Sequence, residues 1–158
     1  MAAISGVYDL IRPSTTTSTA ITVAQVLVPT TAVIEVTRAW CNQSTITTSA
    51  QTRIQLVRTT TTGTFTSATP APSSPGMQAS RCVGGVNATG ITATVEPTKS
   101  SVYVEEGFNI VNGWLYLPVP EERKMVGGAA ATGIGLFFPT APTSAGWVSG
   151  IGWLEYAF

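Results

Sequence analysis

Histidine is missing from this sequence altogether. With it goes the side chain whose unperturbed pKa of about 6.5 serves most proton transfer near neutrality and many metal sites. Charge is scarce as well: charged residues make up 10% of the 158 positions, and 8 Lys plus Arg balance 8 Asp plus Glu. A neutral chain with a pI of about 6.2 has no basic field to gather phosphates, so nucleic acid is not expected as a partner. No run of about 18 apolar residues occurs, which excludes a membrane-spanning helix and gives no reason to expect a membrane partner. Two cysteines, Cys41 and Cys82, are too few for a disulfide scaffold and lack C-x-x-C spacing, so buried free thiols are expected. The first ten residues lack the basic and apolar regions of a secretory signal, and the default expectation is folding in a reducing cytosol.

What is present is surface chemistry and turn chemistry. Soluble monomers usually carry about a quarter charged residues, so a chain this sparse covers itself with hydroxyls and amides or hides its outside in contacts. Fifteen Gly and 10 Pro punctuate the chain, and no helical periodicity runs over any useful length. Alternation of period two is instead recurrent. Over Ala32 to Gln43 it puts Ile34, Val36 and Trp40 on one face and Glu35 and Thr37 on the other. Over Gln51 to Thr59 it sets Ile54 and Leu56 against Arg53 and Gln55, and the Ser/Thr-rich connection between the two runs predicts an antiparallel pair. Further strands are predicted at Gly6 to Arg12, Ala20 to Val28, Ile91 to Glu96, Ser101 to Glu105, Thr132 to Phe138 and Trp147 to Phe158. Asn112-Gly113 suits a two-residue hairpin that would pair Phe108–Val111 with Trp114–Leu117, Ile110 facing Leu115 and Phe108 facing Leu117 in the core. The fold class is therefore all-β, a two-sheet antiparallel sandwich. Residues 1–19 read as an N-terminal strand or arm with a hinge from Pro13 to Thr19, and 20–158 as one sandwich domain. Thr60 to Gly76 reads as the longest loop.

None of the candidate reactive sites carries chemistry. Gly127 to Gly135 has the gap of a phosphate loop, but Ile134 and Gly135 stand where Lys and Ser/Thr are needed, so a small-residue turn feeding a strand is expected. Glu105-Glu106 and Glu121-Glu122 are carboxylate doublets; neighbours on a strand point to opposite faces and do not form the facing pair of a glycosidase. Glu121 to Lys124 is the densest charge cluster and could orient a partner from a rim. Ser149 in Gly146-Trp-Val-Ser-Gly150 misses the nucleophile-elbow spacing and has no histidine base. The sequons at Asn42 and Asn87 carry little weight, since a chain this rich in Ser and Thr produces about one by chance. Catalytic, cofactor-binding and metal residues are thus expected to be none, and no cofactor is implied. Trp114, Trp147, Trp153, Tyr116 and Tyr156 are candidates for recognition, with core burial the commoner fate of such residues.

The stretch from Tyr103 to Arg123, the Gly-rich turn, Ile134 to Pro139 and the ending Gly152 to Tyr156 together resemble small virion proteins of tailed bacteriophages. In particular they are similar to capsid decoration, or cement, proteins with a jelly-roll body. The likeness covers about residues 100 to 158, rests on order and texture and transfers no site residue. It implies a non-enzymatic structural protein, a homotrimer on the outer capsid surface of the virion, made in the host cytoplasm. Its partners would be the major capsid protein and copies of itself, with neighbouring capsomers bridged by the arm before Pro13 and the Thr60 to Gly76 loop. A receptor-binding, fibre-tip or carbohydrate-binding β module is the alternative.

Overall fold

A computed structural model describes residues 3–45 and 49–158. Its strands are β1 (Ala3–Thr17), β2 (Ile21–Leu27), β3 (Ala32–Gln43), β4 (Gln51–Thr59), β5 (Thr64–Ser67), β6 (Ala71–Pro72), β7 (Gly90–Val95), β8 (Lys99–Asn109), β9 (Trp114–Tyr116), β10 (Met125–Gly127), β11 (Gly133–Phe138) and β12 (Ala145–Ala157). A 3-10 turn spans Pro120–Glu122, and no helix among the described residues is long and apolar enough to cross a membrane. The strands form two antiparallel sheets packed as a sandwich. Sheet A runs β10-β3-β12-β1-β6, with β9 also on β3; sheet B runs β5-β7-β2-β11-β4-β8.

The long pairings are nested. β1 pairs with β12, β2 with β11, β3 with β9 and β10, and β4 with β8, while β5 to β7 are interposed between β4 and β8. Each nested pair belongs to one sheet, and the two sheets alternate as the chain winds from β1 to β4. The inner faces meet in one cluster: Tyr8, Leu10, Ile34, Val36, Cys41, Trp147, Ile151 and Trp153 from sheet A, and Ala24, Val26, Ile54, Leu56, Phe108, Ile134, Leu136 and Phe138 from sheet B. Phe108 meets Trp147 edge-on at 6.2 Å between ring centres, and Phe138 lies 5.2 Å from the same indole, a tilted aromatic packing that adds to simple burial.

Several expectations change on contact with the structure. Ala32–Gln43 and Gln51–Thr59 are strands with the predicted limits, but they do not pair with each other; they lie in opposite sheets. In β3 the register against β12 slips between Val36 and Arg38, where Thr37 has no partner. A bulge of this kind reverses the alternation, so Ile34 and Val36 face the core whereas Trp40 faces outward. Asn112-Gly113 is a turn, with Gly113 at φ +71°, yet not a hairpin: β8 stays in sheet B and β9 crosses to β3 in sheet A. Ile110, Phe108 and Trp114 are accordingly buried, while Leu115 and Leu117 are 62% and 69% exposed rather than core. Residues 3–17, expected as a short strand or arm before a hinge, form one strand paired with β12 as far as Thr17, and Pro13 falls in the register shift between Arg12 and Thr15. The Thr60 to Gly76 segment contains β5 and β6.

Candidate functional site

The outer face of sheet A is built around a glycine strip. Along β12, Trp147, Ser149, Ile151, Trp153 and Glu155 point inward, which leaves Gly150 and Gly152 at the outward positions of the central strand. One register row across the sheet reads Ile11, Gly150, Trp40, Leu115. The Trp40 indole covers Gly150: a Cβ added there would come 2.2 Å from the benzo portion of its ring. The next outward row reads Asp9, Gly152, Arg38, and here the Arg38 stem crosses the glycine to reach Asp9. Arg38 donates from Nε and Nη2 to the two Asp9 carboxylate oxygens at 3.1 and 2.7 Å, and its guanidinium sits 5.2 Å from the Trp40 ring centre. That geometry is both a bidentate ion pair and a cation–π contact.

Two grooves flank Arg38. One, of about 490 Å³, is lined by Ile11, Trp40, Asn42, Asn112, Gly113, Trp114 and Leu115. The second, of about 600 Å³, is lined by Val7, Thr37, Ser73, Leu117, Pro118, Arg123 and Leu154. Beyond it the face continues with exposed Met125 on β10 and Ile4 on β1. The charges here are tied to one another. Arg123 donates to Glu35 at 2.9 Å, and the Tyr156 hydroxyl donates to the other Glu35 oxygen at 2.6 Å. The Tyr156 bond, followed by Arg123, holds the Glu35 carboxyl below its ordinary pKa against the opposing effect of burial, and Glu35 raises that of Tyr156 in return.

Behind this face the sandwich buries Arg12 and Glu155, which have no ion-pair partner among the described residues. Arg12, on the inward side of β1, donates to Thr92 Oγ1 at 2.7 Å, Thr17 Oγ1 at 2.8 Å and the Trp147 carbonyl at 3.0 Å. Burial lowers its pKa. At the other end of the same layer, Glu155 accepts from Ser80 Oγ at 2.5 Å, the Arg81 backbone N–H at 3.0 Å and Ser5 Oγ at 3.0 Å. Burial pushes the Glu155 pKa up, but the bonds from Ser80, Arg81 and Ser5 outweigh it and the carboxyl titrates below its ordinary value. With the Tyr8 hydroxyl donating to the Gln78 carbonyl at 2.9 Å, Glu155 fixes the 73–89 segment over the end of the sandwich.

Of the aromatic candidates, Trp147 and Trp153 are core, and Trp114 is buried with its indole N–H donating to Glu106 at 2.7 Å. Tyr116 and Tyr156 are partly exposed. The doublets divide as expected for a strand and a turn: Glu105 bonds Arg53 and Gln55 while Glu106 turns to Trp114, and Glu121 and Glu122 sit in the 3-10 turn. Ser149 is fully buried, its hydroxyl without a partner among the described residues. Cys41 and Cys82 are free and buried; burial raises both thiol pKa values, that of Cys41 to about 12, against a smaller opposing pull from Arg12. Such thiols are unreactive at neutral pH. No group of three or more Cys, Asp or Glu among the described residues could hold a metal ion. Sequence reasoning missed Trp40, Arg38 and Asn42 as surface residues; the usable signal was the Gly150-x-Gly152 alternation. No family model, curated protein or solved structure matches the chain.

Proposed function

We propose that this protein is a non-enzymatic structural protein of a virion, which decorates the outside of a tailed-phage capsid and cements neighbouring capsomers. The observation that carries the reading is the outer face of sheet A. Leu115, Leu117, Met125 and Ile4 are each about 60% or more exposed there, and the charges between them are neutralised within the face. A face of exposed apolar side chains interleaved with internally satisfied charges can be desolvated against a protein partner at low cost. The nested pairing of β1 with β12 through β4 with β8 supports a jelly-roll reading of the sandwich, an architecture common in capsid proteins. A homotrimer would present three such faces, whose modest contacts add through effective concentration and stabilise the expanded shell by mass action.

The test is to mix the purified protein with bare expanded capsids and count copies per particle. Saturable binding is expected, lost in Leu117→Asp and Met125→Asp, which leave stability within about 0.5 kcal/mol because both side chains are exposed. Absence of binding to capsids sinks the reading. A receptor-binding, fibre-tip or carbohydrate-binding module is the second reading, favoured by one observation, the groove at Trp40.

A further inference from the structure

We infer that the groove over Gly150 is a binding site for a neutral pyranose sugar, with Trp40 as its platform. The inference deepens the carbohydrate-binding reading, on which it rests, and is independent of capsid docking. A pyranose has an apolar C–H face and a rim of hydroxyls that each donate and accept. It is recognised by a flat aromatic beneath the ring and planar amide or guanidinium groups at its edge. This groove supplies both. Gly150 removes the side chain that would lift the indole, so Trp40 lies on the sheet, and Ile11 and Leu115 bound it on either side in the same register row.

The polar groups are also in place. Asn42 and Asn112 are exposed at one end of the groove, and among the described residues neither side-chain amide makes a hydrogen bond. Gly113, at φ +71°, lets Asn42 Oδ1 approach so closely that a Cβ there would lie 2.1 Å from it, so the turn and Asn42 are fitted to each other. Arg38, whose guanidinium sits over the Trp40 ring at 5.2 Å from its centre, commits Nε and Nη2 to Asp9, which leaves Nη1 as a spare donor beside the platform. Because Asp9 neutralises Arg38 the groove carries no net charge, which selects against sialylated or sulfated sugars. Its volume of about 490 Å³ falls inside the range of roughly 300–1,000 Å³ usual for small-ligand sites.

The experiment uses the full chain on a panel of immobilised glycans, with neutral gluco-, galacto-, manno- and N-acetylated pyranosides beside sialylated and sulfated ones. Positive glycans are then titrated by calorimetry. At least one neutral glycan is expected to bind, with Trp40→Ala weakening it about tenfold or more and Leu117→Asp leaving it unchanged. Should Trp40→Ala fail to fold, the Asn42→Ala/Asn112→Ala double variant, confined to exposed side chains, carries the same expectation. Failure of every neutral glycan to bind overturns the inference. So does preference for anionic glycans, or binding indifferent to Trp40 and to both asparagines. Capsid binding measured on the same variants separates the readings: its absence beside Trp40-dependent glycan binding sinks only the cement reading, and its loss in Trp40→Ala with no glycan bound assigns the groove to protein docking instead.

Discussion

The two sheets of this sandwich distribute polarity in opposite ways. Sheet B buries no charged residue among those described, and its outer face carries ion pairs, Arg53 with Glu105 and Lys99 with Glu96, whose carboxylates keep 36% and 37% of their side-chain surface in water. Val102 and Val95 are its exposed apolar residues. Sheet A is the reverse. All the buried charged residues, Asp9, Arg12 and Glu155, lie on its β1 and β12, its outer carboxylates Asp9 and Glu35 are only 11% and 13% exposed, and its solvent side offers Ile11, Leu115, Leu117 and Met125. Sheet B is finished as a protein surface in water is finished. Sheet A is finished as one layer of something larger, which is why the functional proposals lie there. Arg12 and Glu155 depend on hydroxyls, carbonyls and backbone N–H groups placed by distant strands, whereas Asp9 is paired with Arg38.

That dependence yields the largest expected effect. Arg12→Ala removes a fully buried side chain and strands Thr92, Thr17 and the Trp147 carbonyl, and should lower unfolding free energy by about 3 kcal/mol or more in denaturant titration. An exposed arginine on sheet B, Arg53→Ala, should cost about 1 kcal/mol or less. Equal costs would break the contrast between the sheets. Glu155→Gln comes next, at about 1.5–3 kcal/mol at pH 7, since the bonds it loses are to an ionised acceptor. The pH dependence has a defined sign. The folded pKa of Glu155 lies below that of the unfolded chain, about 4.3, so its contribution is complete above that value and disappears as pH falls through the folded pKa. Stability of the native protein should therefore drop in acid below about pH 4.3, and the drop should be shallower in Glu155→Gln. A parallel acid limb in both would place the acid sensitivity elsewhere, Glu35 being the first place to look.

Local pattern was legible in the sequence, and long-range pattern was not. The limits of β3 and β4 follow from alternation between turn-forming stretches, and Ile54 and Leu56 point inward as their parity requires. Parity after Thr37 was hidden, because a bulge is created by the partner strand and leaves no mark in the residues that carry it. Trp40 was thereby assigned to the core face when it is the platform of a surface groove. Adjacent runs were read as hairpins, whereas in this winding neighbours in sequence often sit in opposite sheets and the real partners are up to about the full chain length apart. A preference for local pairing cannot find them. Arg12 and Glu155 were invisible for the same reason, since what makes them tolerable arrives from β7 and from the 73–89 segment.

The smallest effect tests the glycine strip directly. Gly150 and Gly135 occupy outward positions on central strands of sheet A and sheet B, neither has the positive φ that only glycine favours, and both are closely covered. They differ in what covers them. A methyl at Gly135 meets the Thr22 methyl at 3.2 Å and those of Thr59 and Val57 at 3.5 Å, contacts that a few tenths of an ångström relieve. At Gly150 it meets three atoms of the Trp40 ring between 2.2 and 2.7 Å, so the indole must leave its bed. Gly150→Ala should then cost about 1–3 kcal/mol and change the Trp40 environment in near-ultraviolet circular dichroism, while Gly135→Ala should cost less than about 1 kcal/mol and leave that spectrum alone. If the two alanines behave alike, the flat indole is not held by the strip. The outer face of sheet A would then be an ordinary surface on which a tryptophan happens to lie, and the case for a built recognition site on it would go with it.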